Sequence, residues 1–420
     1  MSGWNNKGFW RVLRPTRWPE VPSWMSFSTL IELEICPRRW ALVASEYSEI
    51  WNNSGYPTVP QSSALEGTIV HLSLQKITRA LLENGCSSLA DASAILTLQQ
   101  LGGYTNIIKD SLERVLLPYK VNPRVAVVLG DMRTQLAAKI PEIRTRVQKF
   151  LSRIRIEPRT IIQGKPILQP KRELRHALQH GTYTEVLLQA PKLKWRGIAD
   201  LLSLSAAQCE IRDFKTGTQK EEHQVQLWTY ALLWAQDSGL NPNSRLADKL
   251  VISYDECDVE VLPPDISKLS SLENEIKKRT GDALANLQSG NPQARLSLEN
   301  CMYCAVRHLC EDYWPWLVRN YLTGKMINGK YIDIQIKLSS QHGPSSWDGE
   351  VEYGPAMKAG EAILLRTENP TFDLHPGQRL RLLNVHVSLP SDEMDTKNEH
   401  HLIAATMGSW SEMFLISGSQ

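Results

Sequence analysis

Two aspartates and a lysine occur at a spacing that suits hydrolysis of a phosphodiester. The segment G-I-A-D ends in Asp200, and thirteen residues later D-F-K-T-G supplies Asp213 and Lys215. Both segments have the composition of neighbouring β-strands, so the carboxylates are predicted to meet at one end of a sheet, where hard oxygen ligands hold Mg²⁺ or Mn²⁺. Lys215 projects to the same face of its strand as Asp213. Its ammonium group could then orient water and offset charge that grows on the phosphate.

Three further residues could join this group. His71 stands in G-T-I-V-H, and an imidazole is a good Mn²⁺ ligand, although a single histidine is more often a core or surface residue. Gln226 and Tyr230 lie four residues apart on a predicted helix, so they share one face and can reach the same site or a bound substrate. A D-x-K on a strand is usually a solvated edge, and only the joint occurrence of these residues indicates catalysis.

A second group of residues consists of cysteines. Cys301, Cys304 and Cys310 form C-x2-C-x5-C, which can hold one metal centre if a fourth ligand comes from elsewhere, and Cys36 beside Pro37 is the candidate. A four-thiolate zinc site is the alternative. The remaining cysteines are interpreted as ordinary core residues: Cys86, Cys209 and Cys257.

The elements that must position these residues divide the chain into three parts. Residues 1–25 form a Trp-rich extended leader with no helical or strand period. Residues 26–320 read as helices, with a helical insertion at about 83–160, then three adjacent strands, a helix and two short strands. This order predicts an α/β fold with a mixed sheet flanked by helices. Residues 325–420 alternate short strands with turns and predict a small all-β domain that resembles an OB-type barrel.

Composition sets broad limits on the class of protein. The 420 residues are 42% hydrophobic and 22% charged, as in ordinary globular proteins, and the net charge of +2 does not mark a nucleic-acid binder. Ten Lys and Arg against three Glu in residues 142–180 form a candidate phosphate track, with a solvated helix face as the alternative. No apolar run has the length of a membrane span, so we expect a cytoplasmic protein without membrane contact, in which cysteines bind metal.

Six motifs carry a resemblance to a known family. In chain order they are S-F-S-T-L-I-E-L-E-I-C-P-R-R-W, G-T-I-V-H, G-I-A-D, D-F-K-T-G, Q-L-W-T-Y and C-x2-C-x5-C, and they span about residues 26–315. The chain resembles RecB-type nucleases of the PD-(D/E)XK superfamily that carry an iron–sulfur cluster. These include AddB-type subunits of helicase–nucleases, the eukaryotic replication helicase–nuclease and the Cas nuclease of CRISPR adaptation.

The resemblance implies a role for each matching residue. The implied ligands of Mg²⁺ or Mn²⁺ are His71, Asp200, Asp213 and the carbonyl of Phe214. Lys215 matches the catalytic lysine, and Gln226 and Tyr230 match the motif on the following helix. The implied ligands of a [4Fe–4S] cluster are Cys36, Cys301, Cys304 and Cys310. Glu185 lies where family members often have an acidic residue, and its role is left open.

The function expected from the resemblance is hydrolysis of DNA by a restriction-endonuclease-like core, on single strands or DNA ends, in repair, recombination or defence. The chain has no phosphate-binding loop of the G-x-x-x-x-G-K-[ST] type, so a helicase or another DNA-processing protein is the expected partner. The alternative is a catalytically silent subunit that binds single strands or acts as a scaffold. The β domain would bind single strands through Trp347, Tyr353 and Phe372, or it would dock a protein while these side chains pack in a core.

Overall fold

The computed structural model describes residues 9–47, 55–157, 175–288, 290–322, 331–367, 373–388 and 403–416. Within these ranges the chain forms one five-stranded sheet with helices on both faces, a bundle of helices beside it, and a second, seven-stranded sheet. The predicted mixed α/β fold is confirmed. No helix of the described ranges has both the length and the apolar character to cross a bilayer.

The five-stranded sheet carries the two motifs with aspartate. Its strands follow one another in chain order: β2 (Gly181–Ala190), β3 (Trp195–Leu204), β4 (Cys209–Lys215), β5 (Lys249–Tyr254) and β6 (Asp258–Val261). All neighbours are antiparallel except β4 and β5, which run parallel. A parallel pair needs a crossover connection, and α9 (Glu221–Gln236) supplies it. This crossover places the face of α9 beside the end of β4.

Helices cover both faces of this sheet. One face packs against three helices: α1 (Phe27–Ile35), α9 and α10 (Ile266–Gln288). The Ser26 hydroxyl caps α1 by accepting the N–H of Thr29, and α2 (Pro37–Ala44) follows with Pro37 in its first turn, where a missing N–H costs nothing. Arg279 of α10 forms a two-bond ion pair with Glu34 of α1, at 2.8 and 2.7 Å. The start and the end of the sheet domain are therefore joined.

The other face packs against a helical bundle with its own core. Its members are α3 (Ser62–Glu83), α4 (Ala92–Gln100), α5 (Gly103–Leu116), α6 (Pro123–Ala126), α7 (Leu129–Ala138) and α8 (Ile140–Arg153), with a 3₁₀ turn at Leu117–Val121. Leu201 of β3 and Phe214 of β4 belong to this core. The bundle thus rests on the strands that carry the aspartates.

The C-terminal sheet contains a closed five-stranded barrel. Its strands are β7 (Tyr331–Gly343), β8 (Ser346–Tyr353), β9 (Ala362–Arg366), β10 (Arg379–Ser388) and β11 (Ile403–Thr406). The order β7-β8-β9-β11-β10 returns to β7, and β9 and β11 are parallel. A further strand, β12 (Glu412–Ile416), extends the sheet from β10. Trp347 lies in the barrel core with 7% exposure, Tyr353 packs against the neighbouring core, and Phe372 is outside the described residues. Stacking of Trp347 on a base is therefore excluded.

Two features differ from the sequence predictions. Residues Phe9–Val12 of the leader form strand β1, which pairs in parallel with β12, and Trp10 is 2% exposed against Phe414. Part of the leader is therefore an element of the C-terminal sheet. Three side chains of the predicted phosphate track form ion pairs with carboxylates around the β5–β6 turn: Arg146 with Asp255, Lys149 with Glu256 and Arg153 with Asp258. Arg159, Lys165, Lys171 and Arg172 lie outside the described residues.

Candidate active site

Three carboxylates meet where β2, β3 and β4 adjoin. The register pairs Leu201 with Arg212, so the next residues of β3 and β4, Asp200 and Asp213, are cross-strand neighbours. The pairs on either side of Glu185 show that this residue of β2 lies opposite Asp200. The two aspartates therefore lie close together, as the sequence predicts, and Glu185 lies beside them.

The backbone at Glu185 departs from strand geometry. Its φ is +53°, which costs an L-residue about 1–2 kcal/mol because Cβ approaches the following carbonyl. The alternation of faces changes at this point: Ala199 belongs to the core under α9, whereas Leu201 belongs to the core of the helical bundle. The irregularity redirects the Glu185 and Asp200 side chains relative to a regular ladder. Such outliers gather at functional sites, where the surrounding structure holds them.

Asp200 is held from two sides. One of its carboxylate oxygens accepts the N–H of Phe214 at 2.6 Å, and the other lies 3.4 Å from Nδ1 of His71. His71 comes from α3, which can approach because Gly67 has no side chain: a Cβ there would stand 2.9 Å from the Thr216 hydroxyl, just after β4. The Phe214 peptide therefore borders the site through its N–H, while ligation by its carbonyl stays a prediction.

Lys215 is positioned by a chain of contacts. Its Nζ lies 2.8 Å from an oxygen of Asp213 and donates to Oε1 of Gln226, also at 2.8 Å. The amide of Gln226 donates in turn to the Tyr230 hydroxyl at 2.8 Å. The Tyr230 ring fits because Gly197 has no side chain, since a Cβ would stand 2.7 Å from the ring. Gln226 and Tyr230 thus orient the lysine through α9 and need not touch a substrate.

The electrostatics show an excess of negative charge. Burial and the neighbouring Asp200 raise the pKa of Glu185 to about 7. The same two causes raise the pKa of Asp213 to about 6, although Lys215 opposes them. Burial disfavours the charged form of His71, but its hydrogen bond to Asp200 and the two aspartate charges outweigh burial and raise its pKa. A cation placed between these groups would lower the free energy of their ionised forms.

Comparison with known proteins agrees with this geometry. A model of the PD-(D/E)XK nuclease superfamily matches residues 24–311, more than half of the chain. The chain belongs to the PD-(D/E)XK nuclease superfamily. A search of curated proteins finds no match. Among solved structures, the "Crystal structure of SSO0001" is similar at 20% identity over 31% of this chain and 61% of that chain, with a TM-score of 0.20. The "Crystal structure of p204 HINb domain" is similar at 10% identity over 58% of this chain and 99% of that chain, with a TM-score of 0.16.

The donor set of this superfamily member suits a hard divalent cation. Three carboxylates and one imidazole are the ligand types that Mg²⁺ and Mn²⁺ accept, and burial together with the neighbouring Asp200 raises the pKa of Glu185 and of Asp213. Across the described ranges, no three His, Cys, Asp or Glu side chains stand close enough together to hold a metal ion as they are placed. Lys215 occupies one oxygen of Asp213 in this arrangement. Binding would therefore require small side-chain rotations.

The four predicted cysteine ligands line one cavity of about 20 Å³. Cys36 lies between α1 and α2, where its sulfur accepts the N–H groups of Arg39 and Arg295 at 3.4 and 3.5 Å. Cys301 ends the short helix α11 (Leu298–Cys301), and Cys310 precedes α12 (Tyr313–Leu322). We name the segment 290–322 the cysteine module. The chain itself brings Cys36 to it, since Arg38 donates to Asn291 and Asn300 donates to the carbonyl of Ile35.

The cysteines are buried thiols in an apolar cavity. Burial raises the pKa of Cys301 to about 11 and that of Cys310 to about 12, and it also raises the pKa of Cys304. Thiolates become favourable there only beside a strongly positive centre, and as the side chains are placed no three of the described thiols are close enough together to bind one metal ion. Cys86 and Cys209 are fully buried core residues as predicted, while Cys257 is exposed.

Sequence reasoning brought together most of this site but missed part of it. The sequence gives Glu185 no role, although it lies on β2 opposite Asp200 and completes the carboxylate group. Gly197 was overlooked as the residue that admits the Tyr230 ring. Its signal was present in W-R-G-I-A-D, because a glycine inside a strand often marks a close approach of another group.

Proposed function

We propose that this member of the superfamily is a metal-dependent nuclease that hydrolyses DNA phosphodiesters on single strands or DNA ends. The observation that supports the proposal is the lysine held between Asp213 and Gln226, beside three carboxylates and an imidazole. Phosphodiester hydrolysis needs anionic ligands for a divalent cation and a positively charged side chain directed at the reacting phosphate. This site contains both.

The roles of the residues follow from their contacts. Asp200, Asp213, His71 and Glu185 would hold Mg²⁺ or Mn²⁺, which supplies Lewis-acid activation of the phosphate and lowers the pKa of water. Lys215 keeps its ammonium group at one position because Asp213 and Gln226 each hold it at 2.8 Å. From there it can align a water molecule with the phosphorus and neutralise charge on a phosphoryl oxygen in the transition state.

The cysteine module has a structural part in this proposal. A [4Fe–4S] cluster on Cys36, Cys301, Cys304 and Cys310 would join α1 to the end of the nuclease domain. Closure of a loop of about 270 residues removes unfolded-state entropy, so the cluster would stabilise the fold rather than carry electrons. Zinc at the same thiolates is the competing assignment. A brown protein with broad visible absorption and bound iron supports the cluster, and colourless protein with one zinc per chain contradicts it.

A cleavage assay tests the catalytic proposal. Anaerobically purified protein is incubated with end-labelled single- and double-stranded DNA in Mg²⁺, in Mn²⁺ and in EDTA. We expect metal-dependent cutting that Asp213→Asn and Lys215→Ala reduce at least about 100-fold, as loss of one transition-state contact does. Asp282→Asn and Lys109→Ala serve as matched controls, because both side chains are exposed and distant in sequence from the site.

Two results would replace the proposal. Binding of single strands without cleavage in either metal, unchanged by Asp200→Ala, identifies a catalytically silent binding subunit. Equal cleavage by Lys215→Ala and by the wild type removes the lysine from the mechanism. Repair, recombination and defence are the settings proposed for the enzyme, with a helicase as partner, and co-purification of an ATP-dependent DNA translocase from the native host tests that partner.

A further inference from the structure

A cavity of about 1030 Å³, which we call the groove, opens beside the candidate active site. Glu185, Gln226 and Tyr230 belong to its lining, so it is continuous with the carboxylate group. One wall is α3 and the other is formed by β2 and β3. A groove of this volume accommodates a ligand of a few nucleotides, because typical ligand cavities measure about 300–1,000 Å³.

The wall on α3 is a continuous stripe that begins at the site. His71, Gln75 and Arg79 follow one another at intervals of four residues, so they lie on one face of the helix. Gln75 and Arg79 line the groove, and His71 contacts Asp200. At a rise of about 1.5 Å per residue, Arg79 lies roughly 12 Å along the helix axis from His71. The stripe therefore runs from the reacting centre into the groove.

Arg79 is a cation with spare hydrogen-bonding capacity. Its Nε is buried without a hydrogen-bond partner, and the side chain forms no ion pair among the residues that the structure describes. Its charge acts on Glu185, whose pKa it lowers against the larger effect of burial. A buried guanidinium donor without an acceptor costs free energy, and an anion in the groove would provide the acceptor.

A second cation stands on the opposite wall. Arg196 of β3 is exposed and forms no ion pair within the described ranges, whereas Arg175 is bound to Asp237 and to the carbonyl of Leu187. Glu185 is the sole acidic residue in the described lining. Apart from Glu185, the described lining presents two available positive charges and no opposing negative charge.

The groove also offers surface for bases. Tyr183 is half-buried in its lining, and Ile198 is 49% exposed although it is a large apolar residue of a strand. Aromatic and apolar side chains between cations are the arrangement that proteins use for single strands, because bases stack while phosphates pair with Arg. With one arginine on each wall, the groove can pair successive phosphates of a single backbone that passes between them.

From these observations we infer that Arg79 and Arg196 bind backbone phosphates of the strand segment that runs from the scissile bond through the groove. They are specificity-determining residues, since they require several nucleotides on one side of the cut. The inference rests on the proposed nuclease function. It predicts that very short oligonucleotides, which cannot reach Arg79, are poor substrates because KM rises while kcat is kept.

The dependence of binding on salt tests the inference. Binding of a fluorescent oligothymidylate of about 20 nucleotides is measured in EDTA at several salt concentrations, for the wild type, Arg79→Gln, Arg196→Gln and the double variant. Each lost phosphate contact should reduce the slope of log K against log salt by about 0.7, and the double variant by about 1.4. Affinity should fall about 10-fold per variant. Arg114→Gln is the matched control, because this exposed arginine lies on α5 outside the groove.

Conservative variants separate a phosphate contact from a packing role. Arg79→Lys keeps the charge, so it should restore the slope even if it packs less well. Arg196→Gln changes an exposed side chain and should leave the unfolding midpoint unchanged. Slopes for both Gln variants equal to that of Arg114→Gln would overturn the inference.

A cleavage assay of the wild type distinguishes failure of this inference from failure of the proposed nuclease function. Active enzyme with unchanged slopes refutes the phosphate contacts but not the nuclease. Reduced slopes with no cleavage in Mg²⁺ or Mn²⁺ support the contacts and refute the nuclease.

Discussion

Arg124 joins three parts of the molecule, and its replacement should be among the most destabilising single changes. Its side chain is 1% exposed and forms a two-bond ion pair with Glu412 of β12, at 2.9 and 2.7 Å. The same guanidinium donates to the carbonyls of Pro57 at 3.0 Å and Ala305 at 2.7 Å. It therefore connects α6 of the helical bundle with the C-terminal sheet and the cysteine module.

The cost of Arg124→Met follows from these four hydrogen bonds. The methionine fills much of the volume but leaves the Glu412 carboxylate, 14% exposed, without its counter-charge and two carbonyls without donors. Removing one partner of a buried ion pair costs about 3–5 kcal/mol. Because Glu412 retains some contact with water, we expect a value near the lower end, about 3 kcal/mol.

Urea unfolding of the variant set measures this cost. Arg124→Met should lower the midpoint without a change in m, and the exposed Arg114→Met should not. The double variant Arg124→Met with Glu412→Met also removes the unpaired carboxylate of Glu412. It should therefore recover a large part of the lost free energy of unfolding. A cost below about 1 kcal/mol for Arg124→Met, or no recovery in the double variant, would refute the reasoning.

Three other changes have definite expected results. Trp10→Ala should cost about 3–5 kcal/mol in urea unfolding because the indole is 2% exposed, and Trp410→Ala, 41% exposed, should cost little. Gly197→Ala should lower the free energy of unfolding by about 1–3 kcal/mol, because its Cβ would lie 2.7 Å from the Tyr230 ring. It should also lower kcat for cleavage by more than the loss of folded protein explains, and an unchanged kcat would contradict this. Glu185 has a pKa raised to about 7 from 4.5, so its contribution to stability is greatest below pH 4.5 and is lost as pH rises through 7. Without divalent metal, the free energy of unfolding of Glu185→Gln relative to the wild type should therefore rise by about 1–2 kcal/mol as pH increases from 4.5 to 7, after allowance for partial exposure. A difference that does not depend on pH would contradict this.

The sheet and its aspartates could be predicted from local patterns because those patterns coincide with the structure. The three adjacent predicted strands are β2, β3 and β4, and the helix predicted to follow them is α9. Alternating apolar residues determine which face is buried, and two strands joined by a short turn have few possible registers. The meeting of Asp200 and Asp213 follows from that register alone.

The remaining features depend on contacts between distant segments, which no local pattern encodes. Strand β1 forms because β12 offers an open edge about 400 residues later, and the leader shows no alternation of its own. The basic residues of α8 have the pattern of a phosphate track, but their carboxylate partners near β5 and β6 lie about 100 residues away. The positive φ of Glu185 is likewise a consequence of the sheet changing faces, and a glutamate in sequence gives no sign of it.

Contacts with the cysteine module determine whether the barrel wall formed by β7 and β10 is accessible to a nucleic-acid strand. Asp333 of β7 forms a two-bond ion pair with Arg307 and accepts a hydrogen bond from the Tyr313 hydroxyl, and both partners belong to the cysteine module. On β10, Arg381 donates to the carbonyl of His308 and to Glu311. Arg307, Asp333 and Arg381 are buried, so the wall formed by β7 and β10 is occupied by the chain's own cysteine module. A nucleic-acid strand could occupy this wall only by breaking the two-bond ion pair of Arg307 with Asp333 and the packing of the module around it. The wall therefore fastens the cysteines to the barrel, and any strand that the barrel binds must lie on another side of it.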